Sequence, residues 1–484
     1  MSDLVLGMAL IAAVLLVSAL ASGLIERAPL SFPMIFLGLG LLLGAGGLGV
    51  IAIDAHNPIL ETVAIVSLSL VLFLDAVNLQ VDELRSDWRV PMLALGPGTL
   101  LIIVLVAGAA TLLVNTTPLQ SLLLGAILAS TDPVVLRDIV RDGRIPRSVR
   151  RALGVEAGMN DIVVLPIVLI LIALLRTQVG DALDWLRFLA QLLILSPLVG
   201  LLVGGAGAWL MGRADARWGI RREYQALYGI GLVLASYAAG QAVQGDGFLA
   251  AYFGGLAVTL FNVSLCDCFL EYGEVTAEMA MLLAFVLFGA VLSTLLGTLA
   301  IVPALALAVV TLGLVRPLAF GLVLQRATMS NTARAFIGWF GPRGLSSLLL
   351  ALLAVQADVP GAEGLLAITG VVVLVSVVAH GATATPLSAW YGARVARQTL
   401  AEEREGTVKG LFERDASAVD RITPAELAAR LAGPNPPVVL DVRSRSQYDQ
   451  DDAQIPGGVR VPPDQVEEWV ALADRARSVV AYCT

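Results

Sequence analysis

A few side chains able to do chemistry lie inside otherwise apolar stretches of this chain. Ala129-Ser130-Thr131-Asp132-Pro133 interrupts one apolar window, and Gly154-Val155-Glu156-Ala157-Gly158-Met159-Asn160-Asp161 opens the next. At 100° per residue Glu156 and Asn160 share a helix face and Asp161 lies one step round, so three polar side chains enter one sector. Two acids so close repel if both are ionised and dry, so at least one needs a cationic partner or a proton. Two arginines in later windows can serve: Arg316, followed by Pro317, and Arg343 in Gly341-Pro342-Arg343-Gly344. A proline in mid-window forfeits a backbone hydrogen bond and clashes one turn back, which predicts a helix break at Pro133. Gly341-Pro342 and Gly344 predict a second. Broken helices bring carbonyls, N–H groups and half-helix dipoles beside a carboxylate and a hydroxyl, an arrangement suited to a dehydrated monovalent cation. Two other readings stay open from these residues alone: a proline kink over an internally bonded Asp132, and buried ion pairs that serve assembly only.

The elements that must position these groups are membrane spans. Of the 484 residues 57% are hydrophobic and 14% charged, with mean hydropathy +0.84, whereas soluble domains are about a quarter charged. Apolar windows fall at about 4–25, 31–53, 58–79, 91–114, 118–140, 149–175, 186–211, 223–243, 247–264, 276–295, 298–325, 334–356 and 362–390. That predicts an all-α polytopic membrane protein of about 13 transmembrane helices. Breaks in the fifth and twelfth, one near the end of each half, point to inverted repeats whose broken helices cross. One set of alternate loops holds fifteen arginines, among them Arg137, Arg141, Arg150 and Arg222, and the other only Arg176 and Arg187. The positive-inside rule then places the N-terminus outside and the C-terminal segment in the cytosol.

Composition removes other classes. The net charge is −8, and the basic residues, 31 in all, form no run dense enough for nucleic acid. Cys266, Cys268 and Cys483 are too few for a disulfide framework; Cys266 and Cys268 read as free thiols at a helix end, with metal binding the alternative. The first window, Leu4 to Ile25, lacks a basic leader and exceeds a signal-peptide core, so it reads as a retained span. Nothing calls for a cofactor.

Thr131-Asp132-Pro133, Glu156 with Asn160-Asp161, Arg316 and the Gly-Pro-Arg-Gly of the twelfth window together resemble the sodium/proton exchanger family, in its electroneutral Asn-Asp branch. The resemblance covers residues 1–392. It implies that Asp161 binds the cation or the proton, with Thr131 as a second Na⁺ ligand. Asp132 would balance the crossing of the broken helices, and Asn160 would orient the site. Glu156 and Arg316 would form a structural ion pair, and Arg343 would belong to the second crossing helix. Spans 4–6 and 11–13 would be the moving core, on a scaffold that forms a homodimer in the lipid of an inner (plasma) membrane. The implied partners are H⁺ and Na⁺, with K⁺ and Li⁺ left open. Two departures stand out. Members carry a serine after the span-6 glutamate where this chain has Ala157, so water or backbone must fill the cation shell. In span 3 the acid, Asp75, follows Phe73-Leu74 instead of following the phenylalanine directly; it is a secondary ligand candidate, with a cytoplasmic-funnel residue and a helix-end charge as equal readings.

After a linker, 393–421, the residues 422–484 predict a small α/β unit. Thr423 is an N-cap with Pro424 at N1; strands follow near 437–443, after Ile455-Pro456-Gly457, and at Val479–Tyr482. This order resembles a rhodanese-like domain, partial because the chain stops at Thr484, so that the loop cradling the sulfur of Cys483 is absent and sulfur transfer is not expected. Two other function classes remain at this stage. A cation channel would need a filter-like ring that the sequence does not show. A tail-regulated sensor would use the spans only as an anchor, for which this many buried ionisable groups are superfluous.

Overall fold

The computed structural model describes residues 31–79, 89–176, 181–261, 263–327, 329–398, 422–443, 453–462, 465–474 and 477–482, with a few isolated positions besides. The first apolar window and Cys483 lie outside the described residues. Among the described residues fourteen helices precede the tail: α1 Phe32–Leu43, α2 Pro58–Val77, α3 Val90–Leu113, α4 Pro118–Ala129, α5 Pro133–Arg141, α6 Arg147–Leu175, α7 Ala182–Trp218, α8 Arg222–Ala242, α9 Gly247–Phe261, α10 Val263–Leu295, α11 Ile301–Val323, α12 Asn331–Trp339, α13 Leu345–Gln356 and α14 Ala362–Arg397. Among the described residues seven of these are long and apolar enough to cross a membrane.

Both predicted breaks are present. The fifth window splits into α4 and α5 around Ser130–Asp132, and the twelfth into α12 and α13 around Phe340–Gly344. Pro133 starts α5 at its first position, where a missing N–H costs nothing and a fixed φ suits the helix. At two prolines kept inside spans, the helix widens instead. Pro97 lies within a π-turn at Ala94–Gly98 in α3, and Pro317 follows one at Thr311–Val315 in α11; the wider turn absorbs the lost hydrogen bond.

Two windows differ from expectation. The second, 31–53, is helical only over α1, because Gly44, Gly46, Gly47 and Gly49 follow and each glycine costs a helix about 1 kcal/mol relative to alanine. The tenth, expected from 276, begins at Val263: no proline stops the helix, and polarity alone ends the membrane-buried part without ending the helix. The extension carries Glu274 to Arg141 at 3.7 Å, and Glu278, one turn on, pairs with Arg137 at 3.2 Å.

The main core joins Phe36 of α1, Phe285 and Phe288 of α10, Leu348 of α13 and Val372 of α14, all fully buried, with the inner faces of α4 and α6. A second apolar cluster links α2, α7, α8, α9 and α10 through Leu70, Phe73, Met211, Val233 and Val258. The crossing helices therefore sit in one packed body.

In the tail, α15 (Pro424–Leu431) is capped by Thr423 and Glu426, each bonding the other's backbone N–H. Then come β1 (Val438–Asp441), β2 (Val459–Arg460), α16 (Val466–Leu472) and β3 (Val479–Tyr482), the strands forming a parallel sheet in the order β2-β1-β3. Asp441, at the end of β1, is buried and paired with Arg443 at 2.6 Å.

Candidate functional site

The two interrupted helices meet through their unwound segments, where the Asp132 N–H donates to the Pro342 carbonyl at 2.9 Å. Four half-helix ends converge there, leaving partial positive charge at the starts of α5 and α13 and partial negative charge at the ends of α4 and α12. The charged residues answer them one by one. Asp132 accepts from Val134 N–H with Oδ1 and from Leu345 N–H with Oδ2, both at 2.9 Å, so one carboxylate caps both starts. Arg343 Nη1 donates to the Ala129 and Ser130 carbonyls at the end of α4, at 3.1 and 2.9 Å. Arg316 Nη2 donates to the Phe340 carbonyl just past α12 at 3.0 Å. The approach is so close that a Cβ at position 344 would overlap the Asp132 carboxylate, and one at 341 the Arg316 guanidinium; Gly341 and Gly344 are required there.

Arg316 also holds Glu156 with both nitrogens, Nη1 to Oε1 at 3.0 Å and Nη2 to Oε2 at 2.9 Å, and lies over the Phe320 ring. Both side chains are buried. This bidentate geometry is the strong form of the guanidinium–carboxylate pair. Asn160 faces the same pair: its Nδ2 donates to Glu156 Oε1 and to Thr99 Oγ1, both at 3.3 Å.

The Thr131 hydroxyl is bonded within the Glu156–Arg316 pair and to Arg343. It donates to Glu156 Oε1 at 3.0 Å and accepts from Arg316 Nη1 at 3.2 Å and Arg343 Nη1 at 2.8 Å. One donor and two lone pairs are then all used, which leaves Thr131 only its carbonyl to offer a cation. The hydroxyl against Asp161 belongs to Ser130, which donates to Oδ1 at 2.6 Å. Ser346, at the start of α13, stands beside the same carboxylate.

A cavity of about 380 Å³ approaches the site from the arginine-rich end. Asp75, Pro133, Ala157 and Gly158 line its inner part, and Arg137, Arg147, Arg151 and Glu278 are among its other walls. Ala157, which lines it, is one helical turn from Asp161 on α6. Asp75 stands in the wall, within electrostatic reach of Asp161 and Asp132.

Ser130 was visible as a residue in the break, yet nothing along the chain told its role from that of Thr131. Ser346 carried no motif. His380 was passed over although it is one of only two histidines and lies in an apolar window. Its Nε2 is 2.9 Å from the Trp339 carbonyl and its Nδ1 meets Ser376, which itself accepts from the Arg343 N–H at 2.6 Å; it braces the second break from α14.

A helical membrane bundle in which two interrupted helices cross beside buried, separately compensated carboxylates has the fold of a secondary transporter. The chain belongs to the sodium/hydrogen exchanger family, whose transmembrane model matches residues 11–390. It is 28% identical over 396 residues to a K⁺/H⁺ antiporter NhaP of Alkalimonas amylolytica, covering 79% of this chain and 66% of that one. It is 30% identical over 378 residues to a K⁺/H⁺ antiporter NhaP2 of Shewanella sp. (strain ANA-3), covering 76% and 64%. The chain thus spans slightly less than two thirds of these curated relatives' lengths. In fold it is similar to the sodium proton antiporter MjNhaP1 of Methanocaldococcus jannaschii, with TM-score 0.67, 19% identity, and 78% and 99% of the two chains covered.

Proposed function

We propose that this chain exchanges an alkali cation for protons by alternating access, with Asp161 binding either ion in turn. One observation carries the reading. Three buried carboxylates lie together, and two already have fixed compensation, Glu156 in Arg316 and Asp132 in two helix starts. Among the described residues Asp161 accepts from the Ser130 hydroxyl and has no cationic partner at bonding distance. Its charge is the one left for an exchangeable ion to neutralise, and the empty, charged site crosses the bilayer poorly because an unpaired ion is costly there. Since position 160 cannot ionise and both Asp132 oxygens accept backbone N–H bonds, one charge moves each way and the exchange is electroneutral.

Sodium is the reading of the sequence resemblance. A second reading, potassium, is favoured by the K⁺/H⁺ names of the relatives. The test is proton flux in proteoliposomes on adding Na⁺, K⁺ or Li⁺ separately, repeated under a valinomycin-clamped potential for Na⁺ and Li⁺. Saturable flux with at least one cation and no dependence of its rate on the potential is the expected result. Flux that scales with potential would make Asp132 a second proton carrier, and conduction without protons would mean a channel.

The arginine-rich end of the cavity is the cytosolic one by charge distribution, so this conformation faces inward, with the N-terminus outside and the tail in the cytosol. The reading includes an inner-membrane homodimer in which α3–α6 and α11–α14 move as the core against the second apolar cluster. The 422–484 unit is a rhodanese-like regulator without sulfur transfer, joined to the 1–392 transporter by the 393–421 linker. Deleting residues 400–484 should leave cation-driven flux in place and alter at most its regulation. Complete loss of flux in a chain that still inserts would reverse that assignment.

A further inference from the structure

On the reading of Asp161 as the exchange carboxylate, we propose that Ser130 and Ser346 are alkali-cation ligands that determine its affinity and selectivity, replacing the hydroxyl missing at Ala157. Both serines are buried, with Ser130 fully enclosed and Ser346 3% exposed. They come from opposite crossing segments, Ser130 from the break after α4 and Ser346 from the first turn of α13. Both converge on Asp161, Ser130 through Oδ1 at 2.6 Å. Ala157, one turn before Asp161 on α6, is buried, lines the cavity and brings only a methyl group there.

The chemistry follows from what a hydroxyl can do. With no cation on the carboxylate, the Ser130 O–H donates to Asp161, and the Ser346 hydroxyl stands beside it. A hydroxyl keeps two lone pairs beyond its proton, so rotating the O–H away turns the same oxygen toward an ion held by the carboxylate. Thr131 cannot do this, its hydroxyl being saturated by Glu156, Arg316 and Arg343. Hard cations take oxygen ligands, and in a dehydrated site the number and field strength of neutral oxygens tune selectivity. Two hydroxyls on opposed segments flank the carboxylate from both sides, where a serine at 157 would supply one from its own helix.

Removing a hydroxyl donor also changes how tightly Asp161 holds a proton, which shifts the cation KM by competition alone. The experiment therefore measures cation KM for wild type, Ser130→Ala, Ser346→Ala and Ser346→Ala/Ala157→Ser in proteoliposomes, across pH up to the alkaline limit where protons no longer compete. Each alanine should raise KM about tenfold, equivalent to ~1.4 kcal/mol, with the rise persisting at the alkaline limit and the order among Na⁺, K⁺ and Li⁺ altered. Adding Ala157→Ser should recover most of the loss in KM. Curves that converge on wild type at alkaline pH would show that the serines only tune the proton and would overturn the proposal, as would an unchanged KM. If an alanine variant does not assemble, Ala157→Ser on the wild-type background decides: a third hydroxyl should lower KM severalfold and an unchanged value defeats the ligand role. A wild-type chain silent with every cation would defeat the exchange reading itself, whereas an active wild type with unaffected variants defeats only this one.

Discussion

Replacing Asp161 by asparagine abolishes cation-driven proton flux while the protein still assembles. The amide is close to the carboxylate in shape and can still accept from the Ser130 hydroxyl, now 2.6 Å from Oδ1, so packing changes little. What is lost is the titratable charge. Without it the site binds no proton to exchange, and the cation loses its only uncommitted anionic partner, because Glu156 stays locked on Arg316 and Asp132 on Val134 and Leu345. Flux in proteoliposomes should fall below about a tenth of wild type, a loss of more than ~1.4 kcal/mol in the barrier, with an unchanged elution profile and melting temperature in detergent. A variant that keeps more than that would move the exchange site to another carboxylate, with Asp132 or Asp75 next in line.

The second large effect is on stability. Glu156→Gln leaves the Arg316 guanidinium buried without its counter-charge, and Arg316→Gln strands the carboxylate; breaking a buried pair from one side costs about 3–5 kcal/mol. The two losses should be unequal. The glutamine at 156 keeps an acceptor for Arg316, whereas loss of Arg316 also leaves the Phe340 carbonyl at the second break without its donor and removes the cation from the Phe320 ring. The double variant, with no charge on either side, should recover part of the loss, and thermal unfolding in detergent reads the coupling as a double-mutant cycle. Strict additivity would mean that the two side chains do not act as a pair. The same cycle with Arg343→Gln in place of Arg316→Gln should show weaker coupling to Glu156, because Arg343 Nη1 is bonded to the Ala129 and Ser130 carbonyls and to Thr131.

Much of this arrangement was legible along the chain because its causes are local. Pro133 lacks an N–H whatever surrounds it, so the break before it could be placed from sequence, and Gly341-Pro342 with Gly344 did the same for the second. The four-residue spacing of Glu156 and Asn160 gave them a shared face, which the structure shows as the Asn160–Glu156 hydrogen bond. Thr423-Pro424 and Glu426 set the first tail helix for a similarly local reason, a cap closed within one turn. Helix ends in the membrane were less legible. Polarity marks where the hydrocarbon ends, while α10 runs on to Val263 because only glycine, proline or a cap ends a helix.

By itself the sequence determined that the chain spans a membrane, where its helices break and which ionisable groups those breaks bury. All of these follow from hydropathy and backbone chemistry within a turn or two. Tertiary structure alone decided how the buried groups share out their partners. From the residues alone either arginine could have neutralised either acid, and either hydroxyl of Ser130-Thr131 could have faced Asp161. The packed helices put Arg316 on Glu156 across 160 positions of chain, send Arg343 to the end of α4, saturate Thr131 within that pair, and turn Ser130 and Ser346 toward Asp161. Side-chain period fixes the face a residue shows on its own helix; which group meets it there depends on how separate helices cross, and no local spacing encodes that angle.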